Sequence, residues 1–174
     1  MWSGDLATND RNIVITGFMG TGKTTVGRCV AAVLQRQFID TDEKIVEEAG
    51  KPIHQIFAED GEAVFRHIER RICRFYAGQR WLVIATGGGM LVDETNLRVM
   101  MASGFVVCLN ATPDEIRKRL AGETGRPLFS GDWESLLEKR RSAYAKIPYQ
   151  IDTVGKTPND IAQEIIELWH NASM

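Results

Sequence analysis

The chain offers almost nothing to the chemistry of sulfur. Its three cysteines, Cys29, Cys73 and Cys108, stand far apart in 174 residues, with no C-x-x-C pair and no histidine spacing that would hold zinc. A free cysteine on a helix or in an apolar strand behaves as a small buried hydrophobe, as expected in a reducing compartment. Neither sign of charge is in excess: 21 Lys and Arg against 23 Asp and Glu leave a net charge of -2. There is no basic field to favour nucleic acid, so any anion must be held by a local arrangement of cations. No apolar run approaches the ~18 residues of a membrane span. The opening Met1-Trp2-Ser3-Gly4-Asp5 has neither the apolar core of a signal peptide nor the arginine-rich character of a transit peptide. A cytoplasmic protein with no membrane and no nucleic acid among its partners is the expectation. Repeats and low-complexity tracts are absent too. With 44% hydrophobic and 25% charged residues, the composition is that of an ordinary globular chain. Its length suits one domain over 1–174, with a loose tail at 1–10.

What is present is an alternation of short β-branched runs and longer amphipathic stretches, the pattern of a parallel sheet with crossover helices. Strands are expected at 12–16, 37–40, 81–85, 105–109 and 151–153. Helices are expected at 24–34, around Ile53, Ile56 and Phe57, along Val64, Ile68 and Ile72 at i, i+4, i+8, and from Asp93 as N-cap to about 103. Thr112-Pro113 and Thr157-Pro158 each read as a cap followed by proline at the first helical position. Another helix spans 133–146, ending before Pro148. Between them, 122–132 carries three glycines and Pro127 without periodicity, and reads as a loop able to act as a lid.

One motif states its chemistry outright. Gly17-Phe18-Met19-Gly20-Thr21-Gly22-Lys23-Thr24 fits G-x-x-x-x-G-K-[ST] between an expected strand and an expected helix. Glycines let backbone N–H groups turn inward as an anion nest, and the helix N-terminus adds partial positive charge. Polyphosphate is the ligand that suits this loop. Gly20, Thr21, Gly22, Lys23, Thr24 and Thr25 are the candidate contacts, with the Thr24 hydroxyl placed for a Mg²⁺ shell. Asp40 and Asp42 follow at the carboxyl end of a strand, where open α/β sheets bind ligands. Asp40 is a candidate metal ligand. Asp42 is a candidate acceptor and base for a substrate hydroxyl, with capping of the next helix as the competing reading. Arg66 has Glu62 at i-4 and Glu69 at i+3, so an ordinary surface ion pair competes with a role in holding a planar carboxylate. The run Gly87-Gly88-Gly89 permits close backbone approach and positive φ.

Taken in order, Phe38-Ile39-Asp40-Thr41-Asp42, Ile56-Phe57, Gly61-Glu62, Phe65-Arg66, Glu69, Thr86-Gly87-Gly88-Gly89, Gly125-Arg126-Pro127-Leu128 and Arg140 with Tyr144 closely resemble the shikimate kinase family, from about residue 12 to residue 169. The resemblance implies an α/β fold with a five-stranded parallel sheet in order 2-3-1-4-5, a mobile lid, and transfer of phosphate from ATP to the 3-hydroxyl of shikimate with one Mg²⁺. It assigns Lys23, Asp42 and Arg126 to catalysis. It assigns Gly20 to Thr25, Arg119, Arg126 and Lys156 to the nucleotide, with Arg117 as the alternative to Arg119 on the same helix. Asp42, Arg66, Gly87, Gly88, Gly89 and Arg140 go to shikimate, and Thr24 and Asp40 to the metal. Phe57 and Phe65 either line the substrate pocket or belong to the core. Arg70, Arg71 and Arg74 read as solvated helix face, and His54, His67 and His170 match no catalytic position. A monomer is expected. The segment 126–140 is shorter than in many relatives, and Ser142-Ala143 stands where proline is common. A gluconate or nucleoside monophosphate kinase, or a non-catalytic nucleotide-binding module, remain the alternatives.

Overall fold

A computed structural model describes residues 9–122 and 131–172. Five strands, β1 (Asn12–Gly17), β2 (Gln37–Asp40), β3 (Leu82–Ala85), β4 (Gly104–Asn110) and β5 (Tyr149–Asp152), form one sheet in the order β2-β3-β1-β4-β5, every pair parallel. Side chains alternate across the sheet, and both of its faces are buried. Val14, Ile84, Val106 and Cys108 enter one core layer, while Ile13, Ile15, Val83 and Val107 enter the other. That is why the central strands carry unbroken apolar runs, as in residues 13–15, Leu82–Ala85 and residues 105–109, while the edge strands β2 and β5 mix in polar residues.

The second layer is closed by α1 (Lys23–Leu34) and α8 (Pro158–Ala172), through Val26, Val30, Ile161, Ile165 and Trp169. The first is closed by α2 (Thr41–Ala49), α3 (Ile53–Glu59), α4 (Glu62–Ala77), α5 (Glu94–Ser103), α6 (Pro113–Ala121) and α7 (Trp133–Tyr144). The helix starts follow their caps. Asp93 accepts from Thr95 N and Asn96 N, Thr112 from Glu115 N, and Asp132 from Ser135 N. Thr157 and Asp160 cap α8 reciprocally.

Several boundaries depart from the sequence expectation. α2 begins directly after β2, because Asp40 ends the strand and caps the helix. β5 starts at Tyr149, two residues early, and α7 stops at Tyr144. Trp81 is not in β3: it adopts a left-handed φ of 65° and stacks under Arg36, whose Cζ lies 4.9 Å from the ring centroid. Arg36 also faces Trp169 at 4.7 Å and donates to the carbonyls of Arg11 and Asn9 at 2.6 and 2.7 Å. Asn9 and Asp10 are therefore docked, not part of a loose tail. The buried stripe of α4 is Phe65, Glu69, Ile72 and Cys73, whereas Val64 is 41% exposed. The spacing of apolar residues misleads here because a carboxylate occupies the middle of the inner face.

Candidate active site

The phosphate loop leaves β1 at Gly17, whose φ is 141° and where a Cβ would run into the Leu109 carbonyl of β4. Only glycine fits. Gly22, at φ 91°, opens α1 with no side-chain cap and no acidic residue in the first turn. The leading N–H groups of α1, at Lys23, Thr24 and Thr25, consequently face the loop with partial positive charge. Thr21 is buried and turns its hydroxyl to the Phe18 carbonyl at 2.7 Å. Lys23 Nζ donates to that same carbonyl at 2.9 Å. An arriving phosphate would compete with this neutral carbonyl for the ammonium. Gly20 packs against Leu120 of α6.

Beside the loop, Thr24 donates to Asp40 Oδ2 at 2.8 Å, while Asp40 Oδ1 accepts from Asp42 N at 3.0 Å. Asp40, not Asp42, is the cap of α2. The two carboxylates do not continue one strand face; Asp42 stands in the first helical turn, half-buried. Thr24 and Asp40 present hard oxygen donors suited to Mg²⁺. Among the described residues no group of three or more His, Cys, Asp or Glu could hold a metal alone. The pair fits an ion that takes most of its shell from water and phosphate oxygens.

The glycine turn after β3 brings the remaining candidates together. Asp42 Oδ1 occupies the space that a side chain at Gly87 would need. A Cβ on Gly88 would lie 3.1 Å from Arg140 Nη1, and one on Gly89 would lie 2.9 Å from Arg66 Nη1 and 3.1 Å from Arg140 Nη2. Two guanidinium groups and one carboxylate thus converge on three consecutive residues. None of the three has positive φ. The run is glycine for space, not for backbone conformation. Gly87 N–H, expected as a substrate donor, is already given to Thr41 Oγ1 at 2.9 Å. The turn also adjoins the phosphate loop, since the Gly88 Cβ position is 3.5 Å from the Gly17 carbonyl.

Glu69 was named from the sequence as part of the family resemblance and as the partner of a surface pair, with no role in the site. It is 2% exposed and accepts from Arg66 Nη1 at 2.8 Å, with Glu62 a weaker second partner of Arg66 at 3.4 Å. Burial pushes the Glu69 carboxyl above the usual carboxylate value, against the pull of Arg66. Burial is the strongest single influence on Arg66 and opposes its charge, yet Glu69 and Glu62 together outweigh it and leave the guanidinium above its ordinary value. Thr41, quoted in the resemblance, was given no role of its own. A carboxylate at i+3 of an arginine on the apolar side of a helix was the available signal for Glu69.

At the other end of the phosphate loop, Arg119 donates to the Gly20 carbonyl at 3.1 Å and to Thr153 Oγ1 at 3.0 Å, and pairs with Glu115. Arg117 instead pairs with Asp114 and Glu134 on the surface. Of the two, Arg119 is the one bonded to the phosphate loop. Lys156, on the loop after β5, pairs with Glu164 of α8 at 2.6 Å. Phe65 is buried with Phe57 against it at 4.7 Å, Phe57 remaining 38% exposed. Arg71 and Arg74 are exposed, and Arg70 meets Asp93 at 3.6 Å. Arg126 and nearly all of the lid segment lie outside the described residues. No helix among those described is long and apolar enough to cross a membrane.

Comparison with known proteins points to one family. The family model for shikimate kinase matches residues 19–170. A shikimate kinase of Persephonella marina is 40% identical over 159 residues, covering 90% of this chain and 97% of the relative. The solved shikimate kinase of Acinetobacter baumannii in complex with shikimate superposes with a TM-score of 0.87 at 33% identity, covering 96% of each chain. A gluconokinase of Sinorhizobium meliloti reaches a TM-score of 0.57 at 20% identity, a likeness of fold alone. A glycine-rich phosphate loop, a carboxylate and two arginines gathered at one glycine turn, and a match that spans nearly the whole chain make this protein a member of the shikimate kinase family.

Proposed function

We propose that the protein transfers the γ-phosphoryl group of ATP to the 3-hydroxyl of shikimate, as a monomer in the cytoplasm. The observation that carries this reading is the convergence of Asp42, Arg66 and Arg140 on the glycine turn, one strand away from the phosphate loop. In this reading the arginine forks take the substrate carboxylate, since a planar guanidinium matches a planar anion through two parallel hydrogen bonds. The Asp42 carboxylate accepts the proton of the attacking hydroxyl as the new O–P bond forms and the bond to the β,γ-bridging oxygen breaks. Lys23 and the leading N–H groups of α1 hold the phosphates and disperse their charge. Thr24 and Asp40 would hold Mg²⁺, which when bound neutralises phosphate charge. Arg119 and Lys156 border the nucleotide, and Arg126 acts from the lid. Gluconate carries a carboxylate of its own, so the arginine forks alone do not separate the two substrates; the 40% identity to a shikimate kinase favours shikimate, and a non-catalytic module would not need the base.

Calorimetry with shikimate and its methyl ester tests the reading. The ester removes the charge and one planar acceptor, so it should bind about 10- to 150-fold more weakly, the worth of one charge-assisted hydrogen bond. Equal binding would remove the clamp and, with it, the physical basis of the substrate assignment.

A further inference from the structure

The glycine turn is held from one further side. Tyr144 stands one helical turn after Arg140 on α7 and is the one fully buried residue of that helix. Its hydroxyl donates to the Gly88 carbonyl at 2.6 Å. The Cβ position of Gly88 lies 3.1 Å from Arg140 Nη1 and 3.7 Å from Tyr144 Oη, so both side chains border the same residue. At the next residue, Arg140 Nη2 and Arg66 Nη1 crowd the Cβ position of Gly89. The rest of the turn is tied elsewhere: the Gly87 carbonyl accepts from Met90 N at 3.1 Å and the Gly89 carbonyl from Val92 N at 3.2 Å.

Packing does not require the hydroxyl. The ring of a phenylalanine would fill the same space beside Ile147 and Cys108 in the core layer. A phenylalanine could not hold the Gly88 carbonyl, whose position sets how far the turn stands from α7. Burial pushes the phenol up to about 12 while Arg140 pulls the other way, so it remains a neutral donor at working pH.

We propose that Tyr144 is a positioning residue for the substrate carboxylate: through Gly88, its hydroxyl fixes the distance between α7, which carries Arg140, and the turn where Arg140 meets Arg66. The proposal rests on the carboxylate clamp read above. Tyr144 touches no reacting atom, so its effect belongs to the carboxylate end of the substrate and not to the transferred phosphoryl group.

Tyr144→Phe provides the test, with shikimate, its methyl ester and ATP measured by calorimetry and steady-state kinetics. Shikimate affinity should fall about 3- to 10-fold, the range of one neutral hydrogen bond, and KM should rise with it. The ester, ATP and kcat should each stay within about twofold, so the ratio of acid to ester binding shrinks. In an Arg140→Ala background the same substitution should add nothing to the loss of shikimate affinity, whereas a purely structural role would add its full effect. An unchanged acid-to-ester ratio in Tyr144→Phe, with or without a lower Tm, overturns the proposal. If the wild-type enzyme binds acid and ester equally, the clamp itself fails and the proposal falls with it. Should Tyr144→Phe not fold, Gly88→Ala presses on the same link from the other side, since its methyl would sit between Arg140 and the Tyr144 hydroxyl. It should narrow the ratio likewise, and an unchanged ratio there overturns the proposal.

Discussion

Gly89→Ala adds one methyl group at the point where the two arginines meet. The backbone there has φ -92° and ψ -12°, an ordinary right-handed conformation that alanine adopts without strain. The methyl carbon would start 2.9 Å from Arg66 Nη1, 3.1 Å from Arg140 Nη2 and 3.2 Å from Arg66 Nη2. These are too close for carbon against nitrogen, so the guanidinium tips must retreat. They are the far ends of flexible chains, and the fold loses little by their movement. Gly→Ala at a compatible site stabilises by about 0.4–1 kcal/mol through the unfolded chain, so Tm should hold or rise slightly. The binding site loses much more. Arg66 stays tethered to Glu69 at 2.8 Å, so it cannot simply swing to a new productive pose. Loss of one charge-assisted bond costs about 1.5–3 kcal/mol, or roughly 10- to 150-fold in shikimate affinity. ATP affinity should be unchanged. Calorimetric titration of each substrate beside a thermal melt reads all three quantities at once. Shikimate affinity within twofold of wild type in a folded Gly89→Ala enzyme would refute the idea that the arginine tips hold the substrate at this turn.

Asp42→Asn should lower kcat by about 10²–10⁴-fold, the usual contribution of a general base, with ATP affinity little changed; loss of nucleotide binding instead would move Asp42 to the other ligand. Glu69→Gln should change how stability depends on pH. Because burial raises the folded-state pKa of Glu69 above its unfolded value, its contribution is fullest below the unfolded pKa and declines as pH rises through the folded one. A neutral Gln stands in for the protonated carboxyl, so melts of wild type and Glu69→Gln should lie closest in acid and separate as pH rises, with wild type losing stability relative to the variant. A difference independent of pH would count against a strained buried carboxylate.

The phosphate loop was legible because its chemistry is local: eight consecutive residues specify the turn, the cation and the helix start. The alternation of strands and helices followed from the same locality, through apolar runs separated by helix-length segments, whereas the order of the strands in the sheet came from the family resemblance. The proposed clamp was legible chiefly as a resemblance. Arg66 and Arg140 lie on helices far apart in the chain, and nothing in either neighbourhood distinguishes a carboxylate ligand from a solvated cation. The glycine run drew attention for two reasons, and they parted: its backbone has no positive φ, while the close approach that a lack of side chains permits is what matters. Glu69 was hidden because a buried charge breaks the apolar stripe by which inner faces are recognised. The eye then settles on Val64 and Ile68, the former exposed. α2 was hidden because Asp40 serves as the last residue of a strand and the cap of a helix, leaving no loop to mark the boundary.

That missing loop also explains how the parts of the site keep register. Asp40, Thr41 and Asp42 are consecutive, and each side chain addresses a different component. Asp40 accepts from Thr24 on the phosphate loop helix. Thr41, fully buried, accepts from the first glycine of the turn. Asp42, the proposed base, stands against that same glycine. A flexible connection between β2 and α2 would let these three links drift independently, and phosphoryl transfer loses rate steeply when reacting groups are misplaced by even an ångström. With Asp40 Oδ1 accepting from the backbone N–H of Asp42, the carboxylate proposed for the metal is bonded to the residue proposed as base. Whatever shifts the phosphate loop through Thr24 must then shift the start of α2, and the acceptor for the substrate hydroxyl moves with the phosphates instead of away from them.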